Sequence, residues 1–196
     1  MKTEIRDYRL PVYSHKLYRV ILDDVDEIKT LVTNDATMVT AWLINTEKLN
    51  RRVLDRLIVG LDIEWLPYFY NNMEHPVATL QLSVGKSCLV LQILHALAIP
   101  LGLSGFLANS NYTFVGVGIE EDVRKLRNDY GLEVANTIDL RSWAAYKLGR
   151  AELRNVGLKA LTKEVLGVEI EKPQNVRLSR WDNRVLTEDQ VIICIS

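Results

Sequence analysis

Apolar residues fall in short strand-like runs with one helix-spaced stretch in the first half of the chain, and beyond it strand-like and helix-like runs alternate. Short runs at 8–13 and 17–22 predict two strands, with an acidic turn at 23–26 behind them. Met38, Val39, Trp42 and Leu43 recur at helical spacing after Thr33 and Asn34, either of which can cap a helix. Residues 57–65, LIVGLDIEW, are too apolar for a surface strand and too short for a helix, so they predict a central strand. Asn71-Asn72 makes a turn. Residues 77–84 and 87–94 then read as strands joined by Gly85-Lys86, a hairpin signal, which completes an antiparallel meander.

Beyond the meander the pattern alternates: helix at 101–108, strand at 113–118, helix at 120–130, strand at 134–140, and helices at 142–148 and 153–166. This order predicts an α/β fold, a mixed sheet flanked by helices, in one domain over residues 1–196. Residues 167–184, with Pro173, Gln174, Asn175 and Asn183, read as an ordered loop, and Thr187-Glu188-Asp189-Gln190 is a capping box for a last short helix.

Composition narrows the function classes. With 196 residues, 48% hydrophobic and 25% charged, the chain can bury a sizeable core, which excludes disorder as its main state. No run of about 18 apolar residues exists to span a bilayer, so no membrane is expected. Residues 1–7 carry Lys2, Glu4, Arg6 and Asp7 without an apolar stretch behind them, so an intracellular protein is expected. Cys88 and Cys194 stand far apart and outside any CxxC pair, and His15, His75 and His95 are isolated; a zinc site or a Ser/His/Asp hydrolase has no basis. Net charge is −1, but residues 141–184 hold ten basic and five acidic side chains. Within that basic segment Lys172, Arg177 and Arg180 can neutralise backbone phosphates, unless they form a solvated surface, and Trp181 either stacks on a base, as in single-strand binders, or anchors the core.

Asp62 and Glu64 interrupt the apolar run of the central strand. At i and i+2 they share one face, about 6.6 Å apart along the strand. Two neighbouring anions are costly to bury without a cation, and a site rich in carboxylate oxygens suits Mg²⁺ or Mn²⁺. Asp122 falls in the first turn of the helix after strand 113–118, where it also complements the helix dipole. If that strand lies parallel beside the central one, all three acids meet at one edge of the sheet. Trp65, next to Glu64, lines the resulting cleft or packs beneath it.

These segments carry a resemblance. LDIEW, VATLQLSVGKSCLVLQI over 77–93, FVGVGIEEDVRKL with Asp122, TIDLRSWA over 137–144, LKALTKEVLG over 158–167 and KPQNVRLSRWDNRVLTEDQV over 172–191 are together similar to the small plant exoribonucleases among the Werner-like 3′-to-5′ exonucleases. That group is the tyrosine-type DEDD branch of the ribonuclease H-like fold. The resemblance is strong from residue 57 to residue 191 and weak before it. It implies a five-stranded mixed sheet and phosphodiester hydrolysis with two Mg²⁺ or Mn²⁺ ions, one activating water and one steadying the leaving 3′ oxygen. Asp62 would bridge both ions, Glu64 would hold the first and Asp122 the second. It further implies action on 3′ ends of single-stranded nucleic acid, RNA favoured over DNA, a cytoplasmic or nuclear location, the small-RNA silencing machinery as a partner, and a homo-oligomer.

One motif departs from the family. Its last helix carries a tyrosine that orients the attacking water and, one turn later, an aspartate that completes the metal shell. Here the run reads Ile192-Ile193-Cys194-Ile195-Ser196, with Ile193 in the tyrosine's place when aligned without a gap, or Ser196 in the aspartate's place when aligned with a one-residue deletion; neither restores the aspartate. Asp189 stands a turn too early and caps the helix. An isoleucine cannot hydrogen-bond a water, so impaired hydrolysis is expected; the alternative is an inactive relative that binds nucleic acid or co-assembles with an active one.

Overall fold

Strand β4 (Leu57–Trp65) lies inside the sheet because its odd-numbered residues, Leu57, Val59, Leu61 and Ile63, are all buried on one side. It is flanked by β5 (Val77–Val84), antiparallel, and β7 (Tyr112–Gly116), parallel. Outward from β5 come β6 (Ser87–Leu91), then β3 (Asp26–Thr33), β2 (His15–Leu22) and β1 (Thr3–Tyr8). Outward from β7 comes the edge strand β8 (Thr137–Asp139). The order is β1-β2-β3-β6-β5-β4-β7-β8 in one mixed sheet. The computed structural model describes residues 3–8, 14–22, 26–68, 72–170 and 173–195. Among them no helix is long and apolar enough to cross a membrane.

The α/β class, the meander and the flanking helices agree with expectation, but the sheet has eight strands where five were expected. The five that the resemblance implies are β4 to β8; β2 falls on the strand expected over 17–22, and β3 was not announced by the pattern. The edge of β6 then accepts β3 in parallel, and β3 carries β2 and β1 as antiparallel hairpins. DEIKTLVT supports this because its two faces both find cores: Leu31 packs on one side of the sheet and Val32 on the other.

Helices α1 (Ala36–Leu49), α2 (Leu101–Leu107) and α3 (Ile119–Tyr130) cover the face carrying Leu57, Val59, Leu61 and Ile63. The other face is covered in two patches. Helices α6 (Gln174–Arg177) and α7 (Glu188–Ile193) pack over Val20, Val32, Cys88 and Val90. Helices α4 (Leu140–Leu148) and α5 (Leu158–Leu166) form a small cluster of their own around Ala144, Leu153 and Leu161.

Several boundaries moved for local reasons. Asp35 caps α1 by accepting from the Thr37 amide, while the Thr33 hydroxyl accepts from the Asp35 amide instead. The helix expected over 153–166 breaks at Gly157, leaving a 3-10 turn at Ala151–Asn155 before α5. The strand expected over 87–94 ends at Leu91 in a 3-10 turn, and the loop expected over 167–184 contains the single turn α6. The capping box at Thr187 and Gln190 forms as expected. Most of the strand expected over 8–13, most of the acidic turn at 23–26, Asn71 and Lys172 lie outside the described residues.

Candidate functional site

The gap between the two helix patches lies over β4 and β5 and opens as a cavity of about 710 Å³. Its floor is set by strand alternation: Asp62 and Glu64 point away from the core that Leu61 and Ile63 fill. Directly opposite on β5 stand Gln81 and Thr79. The register slips between Glu64 and Trp65, so both side chains reach the cavity. The Asp62 Oδ1 also accepts from the Ile63 amide at 3.0 Å.

Gly60 keeps the floor low, and Gly116 lets β7 approach β4 and the start of α3 on the core side. A Cβ on Gly60 would stand 2.2 Å from the Ser83 Oγ, and one on Gly116 would stand 2.6 Å from the Leu61 carbonyl oxygen. From Gly116 the chain turns through Gly118, at φ 81°, into α3, whose first turn brings Glu121 and Asp122 to the cavity wall. Asp139 holds this turn. Its Oδ2 accepts from the Gly118 amide at 3.0 Å, its Oδ1 accepts from the Arg141 amide at 2.8 Å, and the Arg141 guanidinium pairs with it at 2.6 Å. Burial pushes the Asp139 carboxyl up, but Arg141 and the two amides outweigh burial and hold it below its ordinary value.

The three acids singled out in the sequence thus line one cavity. Among the described residues, no group of three or more acidic, histidine or cysteine side chains is placed to hold an ion by itself. The donor chemistry nevertheless fits a hard divalent cation: carboxylate oxygens from β4 and α3, with an amide oxygen on Gln81 that has no hydrogen-bond partner.

The residues proposed for substrate handling separate. Trp65 and Arg177 line the cavity. The Trp65 ring also carries Lys125, 5.4 Å from its centroid. Arg180 is not on the cavity wall and instead forms a two-pronged pair with Asp182. Trp181 corrects its expected role: it is fully buried, its Nε1 donates to the Arg177 carbonyl at 3.0 Å, and no ring face remains for a base. It anchors the core beneath α6 and α7. Lys159, at the start of α5, lines the cavity and was not singled out, because LKALTKEVL reads as an ordinary amphipathic helix. Gln81 was missed too, although a glutamine in an apolar strand opposite Asp62 was the available signal. At the far wall Cys194 and Ile195 face the cavity, while Ile193 is buried in the core.

Residues 39–194 match a protein family described as 3′-5′ exonuclease. The chain is 36% identical over 146 residues to the mouse bifunctional 3′-5′ exonuclease/ATP-dependent helicase WRN, covering 74% of this chain and 10% of that protein. It is 36% identical over 135 residues to a 3′-5′ exonuclease of Arabidopsis thaliana, covering 68% of this chain and 46% of the relative. The chain therefore spans less than half the length of either. A more distant match, 26% identical over 126 residues, is the Arabidopsis RISC-interacting clearing 3′-5′ exoribonuclease 1, covering 63% of this chain and 62% of that one. Among solved structures, the EXD2 exonuclease domain soaked in Mg and GMP superposes with a TM-score of 0.54 at 27% identity, over 85% of this chain and 81% of that one. The same domain soaked in Mn gives 0.52 at 26%, over 85% and 82%.

Proposed function

The chain belongs to the 3′-5′ exonuclease family, and on that premise we propose that it shortens single-stranded nucleic acid, RNA ahead of DNA, from the 3′ end by metal-assisted phosphodiester hydrolysis. The observation that carries the reading is the meeting of Asp62, Glu64 and Asp122 on one cavity. These three side chains would hold Mg²⁺ or Mn²⁺, in keeping with the Mg and Mn soaks of the EXD2 domain. Bound there, divalent ions supply Lewis-acid activation of water and stabilisation of the leaving oxygen. Lys159 on α5 and Arg177 on α6, both lining the cavity, neutralise the phosphates of the entering strand, and Trp65 borders the path of the terminal base. The preference for RNA is supported by the name of the distant Arabidopsis exoribonuclease.

The end of α7 sets the rate. On the family resemblance the tyrosine's place falls to Ile193, which is buried, and Cys194 and Ile195 stand on the cavity wall. None of these side chains is a strong hydrogen-bonding group that could fix an attacking water. Losing a group of that kind lowers rates by about 10² to 10⁴.

A second reading, an inactive nucleic-acid-binding module, is favoured by that apolar wall, which offers no group to position an attacking water. One experiment separates the two. Purified protein is incubated with Mn²⁺ and a single-stranded RNA labelled at its 5′ end. Stepwise shortening that disappears in Asp62→Asn supports the exonuclease. Binding without shortening selects the module, and shortening that persists in Asp62→Asn refutes the assigned site.

A further inference from the structure

The cavity contains a polar atom that the three carboxylates leave unexplained. Gln81 stands directly across from Asp62 on the same face of the sheet, is only 2% exposed and lines the cavity. Its Nε2 donates to the Thr79 Oγ1 at 2.9 Å, which fixes the amide plane and turns the carbonyl oxygen away from Thr79. That Oε1 is buried and accepts no hydrogen bond. Thr30 and Thr46 also have buried hydroxyls without a partner, but neither lines the cavity.

A buried carbonyl oxygen without a donor is destabilising, and an apolar side chain of similar shape would remove the penalty. The strand has such side chains on either side, Leu80 and Leu82, facing the opposite core. The amide is accounted for if its donor arrives with the ligand. A carbonyl oxygen takes a hydrogen bond or faces a cation, and cations of the Mg²⁺ kind keep several waters when carboxylates bind them, so the hydration shell of such an ion supplies the missing donor. We propose that Gln81 is a positioning residue whose Oε1 accepts a hydrogen bond from a water in the hydration shell of the divalent cation beside Asp62. The proposal rests on reading the cavity as a divalent-cation nuclease site.

The test needs no turnover. Mn²⁺ alone is titrated calorimetrically into the full chain and into Gln81→Met, Gln81→Glu and Asp62→Asn, with the melting temperature of each recorded without cation. Gln81→Met is expected to bind Mn²⁺ about tenfold more weakly, as loss of an outer-shell partner does, and Gln81→Glu, which keeps an acceptor, to bind at least as tightly as wild type. Should Gln81→Met not fold, Gln81→Asn, which withdraws the acceptor by one methylene, is expected to show the same weakening. Wild-type affinity in Gln81→Met, with binding abolished in Asp62→Asn, overturns this role and leaves the nuclease reading intact. A merely structural amide would give that result together with lowered melting temperatures in both Gln81→Met and Gln81→Glu. Equal Mn²⁺ binding by wild type and Asp62→Asn overturns the nuclease reading, and this role with it.

Discussion

Asp139 joins three pieces of the site through one carboxylate: the end of β8, the start of α4 and the Gly118 turn that presents Asp122. Its side chain is 7% exposed, so its bonds to two amides and to Arg141 are shielded from water. Asp139→Ala is expected to destabilise the protein by about 2 kcal/mol, from the lost helix cap and an unsatisfied amide at Gly118. The pH dependence has a definite sign. The native carboxyl titrates below its ordinary value of 3.8, so its contribution is complete above that value and is lost as the pH falls through the lower native one. Urea unfolding should show wild type well above Asp139→Asn at about pH 7 and the gap closing toward about pH 3. A gap unchanged across that range would mean that the charge on Asp139 plays no part in holding the turn.

The strand pair β4 and β7 is packed against its own backbone at Gly116. A methyl there would meet the Leu61 carbonyl oxygen at 2.6 Å and the Ile119 Cβ at 3.3 Å, neither of which can rotate away. Gly116→Ala should therefore lower stability by about 2 kcal/mol in thermal unfolding. Gly60→Ala should cost less, because the Ser83 Oγ at 2.2 Å belongs to a side chain that can turn. Equal losses would show that backbone crowding is not what sets Gly116 apart. The Gly116 contacts were not legible in FVGVG, which reads as a strand without showing what its glycines pack against. By contrast β4, β5 and β6 were legible, because LDIEW and the hairpin at Gly85 carry their patterns locally. The end of α5 was read correctly and its start was not, since only tertiary packing around Leu153 makes the break at Gly157 matter. Asp62, Glu64 and Asp122 could be read because carboxylates in an apolar strand and at a helix start are conspicuous. The stacking role of Trp181 was drawn from the basic sequence around it, whereas the core-anchor role it has depends on α7 and on strands far away in the chain.

Across the whole molecule the charges nearly cancel, with 24 basic and 25 acidic residues, so there is no general attraction for a polyanion. Affinity for a strand must come from local cations on the cavity rim, and the residues lining it include Lys159 and Arg177. For single strands each neutralised phosphate contributes about −0.7 to the slope of log K against log salt concentration. Two such contacts give a slope of about −1.4, shallow for a nucleic-acid binder. The measurement is binding of a fluorescent single-stranded RNA to Asp62→Asn, which keeps the strand uncut, across a range of salt concentrations. Adding Lys159→Ala or Arg177→Ala should flatten the slope by about 0.7 each, and adding both should leave little dependence. Binding should weaken alike for different sequences, because phosphate contacts carry no base information. A slope much steeper than −1.4 that neither substitution changes would place the strand elsewhere on the surface, and the cavity would then admit only the terminal nucleotide or none at all.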